Sequence, residues 1–576
     1  MNVFHLLSTR RARKAASYEI DPEDVFLDSE NLSELNVSQM EGQLERPLGK
    51  HIFYIALFAV VLLIGGFSYR LFAMQVVNGE IYKEKADNNH LKKIPLFALR
   101  GTISDRKGEL LAWNTLPTTN GTSTEKKSID DIPKRVYTET KGFAHLLGYV
   151  SYPKKDQSGV FWQDEYIGKS GVEKQYQTEL AGVKGERIIE VTALREVEAQ
   201  NVVVYPNHGE NLVLSIDKGV QAKLQESMAS LAHRVGFTGG AGVIMDVNNG
   251  EILAITSFPE YSNDLITNAV TKEEKNIVAE ELLDKRRKFL DRAVSGLFTP
   301  GSTVKPFFAY AALVENIITP EQNIFSSGQL VIKNKYDGPD TVFKDWKAHR
   351  YVDMRSAIAA SSDEYFYQIG GGYKDQKGLG IARLEQYANL FGFATTTGID
   401  LPGEEHGLVP SPEWKKKIFD EDWLVGNTYH SSIGQYGFQV TPLELVRAVA
   451  AVANGGTLVT PRVLLRGEVK NKPLNLDQKK LKVIQEGMRM AVTNSIGTAK
   501  GLNIPGVEVA GKSGTAELGV SKQLVNSWIS GYFPVDKPKY AFVVIMEKGA
   551  RTNPYGAVVA MKETLEWMRD NTDYTK

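Results

Sequence analysis

Hydrophobic and polar positions fall into three regimes along this chain. Residues 1–50 are polar and charge-mixed without a sustained period, which predicts a disordered tail. From Ile52 to Tyr69 the uncharged run IFYIALFAVVLLIGGFSY is long enough to cross a bilayer, and Arg70 closes it. The run begins only at Ile52, and no small-x-small site follows it cleanly. The expectation is therefore one uncleaved membrane anchor over residues 51–72 rather than a signal peptide. Residues 73–205 are polar with scattered strand-like runs, and the stretch from Thr115 to Arg135 reads as an exposed loop.

From residue 206 to 576 the pattern changes to apolar strands alternating with amphipathic helices. Ala241–Met245 and Glu251–Ile255 flank Asn248-Asn249-Gly250 and predict a hairpin. Tyr540–Met546 reads as a buried strand and Val558–Arg569 as a closing helix. The fold class expected is α+β, with helices flanking an antiparallel sheet in the C-terminal domain. No internal repeat is visible.

Composition narrows the function classes. A chain of 576 residues is too long for one core, so more than one domain is expected. The formal net charge of −1 gives no sign of nucleic-acid binding. With no cysteine, disulfides and thiolate metal sites are excluded.

The chemistry rests on three short motifs in a fixed order: Ser302-Thr303-Val304-Lys305, Ser361-Ser362-Asp363 and Lys512-Ser513-Gly514-Thr515. Ser-x-x-Lys also begins at Ser104, Ser123, Ser151 and Ser215, so the pattern alone decides nothing. Setting separates them. Ser302 follows the turn cluster Thr299-Pro300-Gly301 and precedes the apolar run Phe307–Val314, which predicts a buried helix whose first turn holds Ser302 and Lys305 on one face. Pro306 is tolerated there because it lies near the helix start. Lys-Ser-Gly occurs at Lys169 and Lys512, and only the second lies beyond the other two motifs. It follows Val507–Ala510, whose alternation predicts a strand entering the site.

In that order the motifs resemble the active site of penicillin-binding proteins and serine β-lactamases. The resemblance extends over residues 51–576. Arg100–Gly108, His145–Val150 and Gly171–Tyr176 are similar to the non-catalytic region of class B penicillin-binding proteins. Gly398–Glu404, Ser432–Gln435, Gly487-Met488 and Gly497–Ala499 are similar to their catalytic domain. Val352–Met354 and Pro410–Trp414 look more like the elongation-type members than the division-type ones. The resemblance implies a membrane-anchored two-domain protein, with a pedestal at 73–205 and a transpeptidase domain at 206–576. Three departures stand out: Asp363 replaces the common Asn, Tyr436 replaces a Gly, and the stretch from Gly108 to His145 is short.

The implied reaction is acyl transfer from a D-Ala-D-Ala stem peptide to an amine on a neighbouring strand, in cell elongation, with β-lactams as inhibitors. Ser302 is then the nucleophile and needs a base. Lys305 takes its proton only in the neutral form, which burial and the like charge of Lys512 favour. The resemblance implies that Ser361 relays a proton and that Asp363 bonds to the substrate, its charge also available to a lysine. It assigns the substrate carboxylate to Lys512 with Ser513 and Thr515, close backbone approach to Gly514, and the oxyanion hole to the Ser302 and Thr515 N–H groups. No cofactor is expected. Asp337, Asp340, Asp345 and His349 lie close in sequence, and some elongation-type relatives hold a metal in this region. Their site includes a cysteine that this chain lacks, so the stretch is read as a polar surface loop and no metal is assigned. His430 is read as packed rather than catalytic.

Basic residues flank the hydrophobic run on both sides and do not orient it. The resemblance places the catalytic domain outside the cytoplasmic membrane and implies a polytopic SEDS-type polymerase as partner, since nothing in the chain resembles a glycosyltransferase. A D,D-carboxypeptidase or β-lactamase is the alternative enzyme, for which no water-activating base is found. A non-catalytic β-lactam-binding scaffold is the third reading, disfavoured because every catalytic group is present.

Overall fold

The computed structural model describes residues 49–83, 91–116, 132–157, 161–191, 197–334 and 338–576. Nearly all of the tail expected at 1–50, most of the loop expected at 115–135, and Asp337 lie outside the described residues. The chain forms two compact units, residues 1–90 and 91–576.

In the first unit, helix α1 (Lys50–Phe72) continues into a π-helical turn at Ala73–Val77. Together they are long and apolar enough to cross a membrane. None of the α1 side chains is buried against protein, as suits a helix solvated by lipid. The helix runs past Arg70 and ends at Phe72. Arginine is a good helix former, and in the last turn its charge complements the helix dipole while its long stem lets the guanidinium reach the interface.

The second unit opens on two small sheets. One has the order β1 (Leu91–Leu96), β5 (Gly185–Val191), β6 (Val197–Val204). The other joins β2 (Ile103–Ser104), β3 (Leu110–Thr115) and β4 (Lys134–Tyr137) to β7 (Leu212–Val213), which runs parallel to β2. Three remote positions meet here in a buried charge cluster. Arg100 Nε and Arg135 Nε donate to the two oxygens of Glu173 at 2.5 and 2.8 Å, with all three side chains almost fully enclosed. Tyr176 reaches across to Asp400 at 2.6 Å, and Asp400 also accepts the Val463 and Leu464 N–H groups. The Gly171–Tyr176 and Gly398–Glu404 stretches are therefore staples between neighbouring layers.

The Lys512 motif lies on a five-stranded antiparallel sheet. Its strands are β8 (Gly239–Asp246), β9 (Ile252–Phe258), β10 (Ala510–Leu518), β11 (Leu524–Phe533) and β12 (Tyr540–Ala550), in the order β9-β8-β12-β11-β10. The predicted hairpin is β8–β9, paired from Gly240↔Phe258 to Met245↔Ile252. The period of two along β12 sorts its side chains into two cores. Phe542, Val544 and Met546 join one face, packed by α2 (Lys218–Val235) and the closing helix at Ala557–Asn571. Ala541, Val543 and Ile545 join the other, packed by α3 (Lys305–Val314) and the helix at Pro442–Ala453. Asp217 caps α2 by accepting the Gly219 and Val220 N–H groups, and Gly236 ends it in the left-handed conformation. Burial of β12 on both faces explains its unbroken apolar run.

The strand expected at Val507–Ala510 starts only at Ala510, so the Lys512 motif lies inside the strand. Val507 instead bridges back to Ile504 in a tight turn.

Candidate active site

The site is assembled from three pieces: the turn before α3, the junction between α4 (Met354–Ala360) and α5 (Asp363–Gly371), and the edge strand β10. Ser302 lies in a 3-10 turn, Gly301–Val304, and the α-helix starts at Lys305, one step later than the sequence predicted. Pro306 then occupies the first helical turn, where a missing N–H costs nothing. The 3-10 turn still aligns positions three apart. Gly301 has φ +54, a conformation that admits glycine freely, and its N–H donates to the Gly434 carbonyl at 3.0 Å. The Ser-Ile-Gly-Gln stretch thereby ties down the Ser302 turn.

Gly514 explains the glycine of the third motif. A Cβ there would stand 2.7 Å from Thr303 Cγ2 and 3.0 Å from the Pro300 carbonyl oxygen. Only a bare backbone lets β10 lie against the Ser302 turn. As an edge strand, β10 also leaves alternate N–H groups free to face that turn.

Two lysines converge on one hydroxyl. Lys512 Nζ donates to Ser361 Oγ at 2.8 Å and to the Ser513 carbonyl at 2.7 Å. Lys305 Nζ donates to the Ser361 carbonyl at 2.8 Å and to its Oγ at 3.4 Å. Its closest partner is Asp363 Oδ1, at 2.5 Å. Both lysines are fully buried. Burial pushes Lys512 well below the ordinary lysine value, and the like charge of Lys305 pushes it further. Burial likewise pushes Asp363 up from its ordinary value, against the pull of Lys305. Ser302 is partly exposed, and its hydroxyl makes no hydrogen bond among the described residues. Ser513 Oγ donates to Thr498 at 2.6 Å, while Thr515 is exposed on the strand.

The second motif is a helix–helix junction. Ser361 ends α4 in the left-handed conformation, with φ +57, and Ser362 caps α5 by accepting the Tyr365 N–H. Beneath it lies Asp345, which was expected on a polar surface loop and is instead fully enclosed. One of its oxygens accepts from Ser362 Oγ and the Glu364 N–H, both at 2.9 Å, and the other from the Trp346 N–H at 2.7 Å. His349, also buried, stands 3.5 Å away. Burial alone would raise Asp345, but His349, the Glu364 N–H and the charge of Lys305 together hold it down to about 2. Asp340 is elsewhere, paired with Lys333 at 2.6 Å in an exposed turn. The acidic stretch thus divides, and no group of metal ligands forms among the described residues. Sequence reasoning missed Asp345 because nothing in its spacing reveals a carboxylate beneath a motif that follows it. His430 packs between Phe343 and Tyr367, and burial pushes it below the ordinary histidine value.

A partly exposed serine beside two lysines that converge on a second hydroxyl is an arrangement suited to acyl transfer through serine. Residues 240–564 match the penicillin binding protein transpeptidase domain, and residues 119–214 the penicillin-binding protein dimerisation domain. The chain is 29% identical to the peptidoglycan D,D-transpeptidase MrdA of Haemophilus influenzae, over 90% of this chain and 91% of that one. A solved complex of a penicillin-binding protein (PBP2) and MreC from Helicobacter pylori superposes with TM-score 0.68 at 26% identity, covering 83% of this chain and 99% of that one. A structure of a peptidoglycan synthase complex that coordinates polymerization and crosslinking gives TM-score 0.69 at 26% identity, covering 91% and 99%. The chain belongs to the penicillin-binding protein transpeptidases. Its activity is that of a serine-type peptidoglycan D,D-transpeptidase.

Proposed function

We propose that Ser302 carries the acyl group and that Lys305, Ser361, Asp363 and Lys512 form one proton-transfer unit around it. The observation that carries this reading is the Ser361 hydroxyl, held between two buried lysine side-chain nitrogens at 3.4 and 2.8 Å. Two buried lysines around one hydroxyl are costly for folding and serve no packing purpose.

At rest Lys305 is paired with Asp363, and Lys512, by its burial, is the lysine inclined to be neutral. The stem-peptide carboxylate arriving beside Lys512 favours its charged form. A proton then passes from Lys305 through Ser361 Oγ to Lys512. The freed Lys305 amine takes the proton of Ser302 Oγ as that oxygen attacks the penultimate D-Ala carbonyl. The peptide C–N bond breaks, and terminal D-Ala leaves as an amine carrying a proton returned through Ser361. In the second half the acceptor amine attacks the ester, the C–O bond breaks, and Ser302 recovers its proton. The N–H groups of Ser302 and Thr515 stabilise the oxyanion in both halves, a contribution of about 3–4 kcal/mol. Ser513 and Thr515 complete the carboxylate site. β-Lactams acylate the same serine.

In this reading residues 73–205 are the pedestal and 206–576 the transpeptidase domain. The catalytic domain faces the extracytoplasmic side of the membrane crossed by α1. The partner is a polytopic SEDS-type polymerase, a reading supported by similarity to a chain from a peptidoglycan synthase complex. The test is labelling of the purified full chain by a fluorescent penicillin, with mass spectrometry of the labelled peptide. A stable adduct on Ser302 that is absent from Ser302→Ala supports the assignment; an adduct elsewhere, or none on a folded wild type, overturns it.

A further inference from the structure

The loop that buries Asp345 presents the next residue to the cleft. Trp346 is 57% exposed, yet its indole Nε1–H donates to the Ser361 carbonyl at 3.3 Å. Its ring meets His349 edge-on at 5.1 Å, and its own N–H is tied to Asp345, so the side chain is held at its base.

Ser361 needs holding. It is a non-glycine residue in the left-handed region, a conformation that persists only where the surroundings fix it. Its N–H donates to the Ile358 carbonyl at 3.3 Å. Its carbonyl has two donors, the Lys305 ammonium at 2.8 Å and the Trp346 indole at 3.3 Å. Lys305 is a poor permanent anchor, because its part in the reaction is to give up a proton and turn toward Ser302. The other charged or titratable groups here are Asp363 from α5, Lys512 from β10, and Asp345 and His349 from the tryptophan's own loop. None of these reaches the Ser361 carbonyl among the described hydrogen bonds. Among the donors on this carbonyl the indole is the one with no proton to lose.

We propose that Trp346 is a positioning residue that keeps the Ser361 peptide, and with it the relay hydroxyl, in place while Lys305 is engaged with the nucleophile. The proposal rests on the reading of Ser361 as the proton relay. It is distinct from a wall that merely contacts substrate, because the contact is with the enzyme's own backbone.

The test is Trp346→Phe in the full chain, which keeps an aromatic ring and removes the N–H. Pre-steady-state labelling with a fluorescent penicillin separates the acylation rate constant from the affinity of the preceding complex. The expected result is a loss of about 3- to 10-fold in the rate constant, the scale of one modest hydrogen bond, with affinity within about twofold. The melting temperature should not move. In a Ser361→Ala background the same change should do nothing further, since the hydroxyl it places is gone. An unchanged rate constant overturns the proposal, as does a loss confined to affinity, a melting temperature that falls in step, or an equal loss in both backgrounds. If Ser361→Ala alone acylates at the wild-type rate, the relay reading fails instead, so the two failures are told apart.

Discussion

Replacing Asp363 with Asn is the sharpest test of how the two lysines divide their work. The change is nearly isosteric and removes one anion 2.5 Å from Lys305 Nζ. Coulomb attraction at that distance and an effective dielectric of about 20 is about 7 kcal/mol, which desolvation of both charges largely offsets. Asp363→Asn therefore holds at every pH the uncharged state that the wild type reaches only when Asp363 takes a proton. The rate of acylation by a fluorescent penicillin, followed by stopped flow from pH 4 to 9, should lose in Asp363→Asn the acid-side dependence that Asp363 gives the wild type. Burial raises Asp363 itself above its ordinary value of 3.8, so at the acid end the wild type loses the same anion. The two profiles should converge there. A wild-type acid limb that persists unchanged in the variant would refute the idea that this ion pair sets the resting state of the site.

Other expectations follow from the same geometry. Lys512→Met should abolish acylation yet stabilise the fold by about 1–4 kcal/mol at pH 7, because it removes a buried charge site. A lysine depressed by folding is a penalty fully present at low pH that fades as pH rises towards 10.5, so the gain in thermal stability should shrink in alkaline buffer. Asp345, held down to about 2 from 3.8, contributes about 2 kcal/mol that is present above pH 4 and lost as pH falls towards 2. Asp345→Asn should flatten the stability profile in that window when unfolding is followed by fluorescence. Gly514→Ala places a methyl 2.7 Å from Thr303 and should cut acylation about 100-fold by shifting β10 off the nucleophile turn, read by the same labelling. Glu173→Ala should cost about 3–5 kcal/mol in thermal or urea unfolding by stranding Arg100 and Arg135, while the folded fraction acylates at the normal rate.

Much of the fold was legible because its signals are local. The β8–β9 hairpin follows from two apolar runs around Asn-Asn-Gly, and the closing helix from its period and length. The three motifs were legible because order and setting removed the decoys: the turn at Thr299–Gly301 and the apolar run after Pro306 mark a helix start. The boundaries were less so. Nothing in Ser302–Lys305 says that the first turn is 3-10 or that Gly301 bonds to Gly434, far along the chain. The roles of Asp345 and Trp346 were illegible for the same reason. Their partners are Ser362, Glu364 and Ser361, and only tertiary packing brings that loop beneath the α4–α5 junction. Acidic spacing suggested a surface loop because charged residues usually stay in water, a rule that fails where a carboxylate is supplied with donors.

The arrangement also explains why the site is built from three separate pieces. A serine and two lysines on one helix would share a face and repel, with no partner rigid enough to hold them. Distributing them over a helix start, a helix junction and an edge strand lets each rest on a different part of the core. Phe307 and Phe308 anchor the first, Tyr365 and Phe366 the second, and Ala510 and Ala516 the third. The pieces then meet where a strained peptide at Ser361 and a bare one at Gly514 allow close approach. Each of those features lowers stability by itself. Their coincidence around one hydroxyl, with Asp363 balancing one lysine and leaving the other uncompensated, is what a packed core alone would not select, and it fits the proposed proton transfer between two amines.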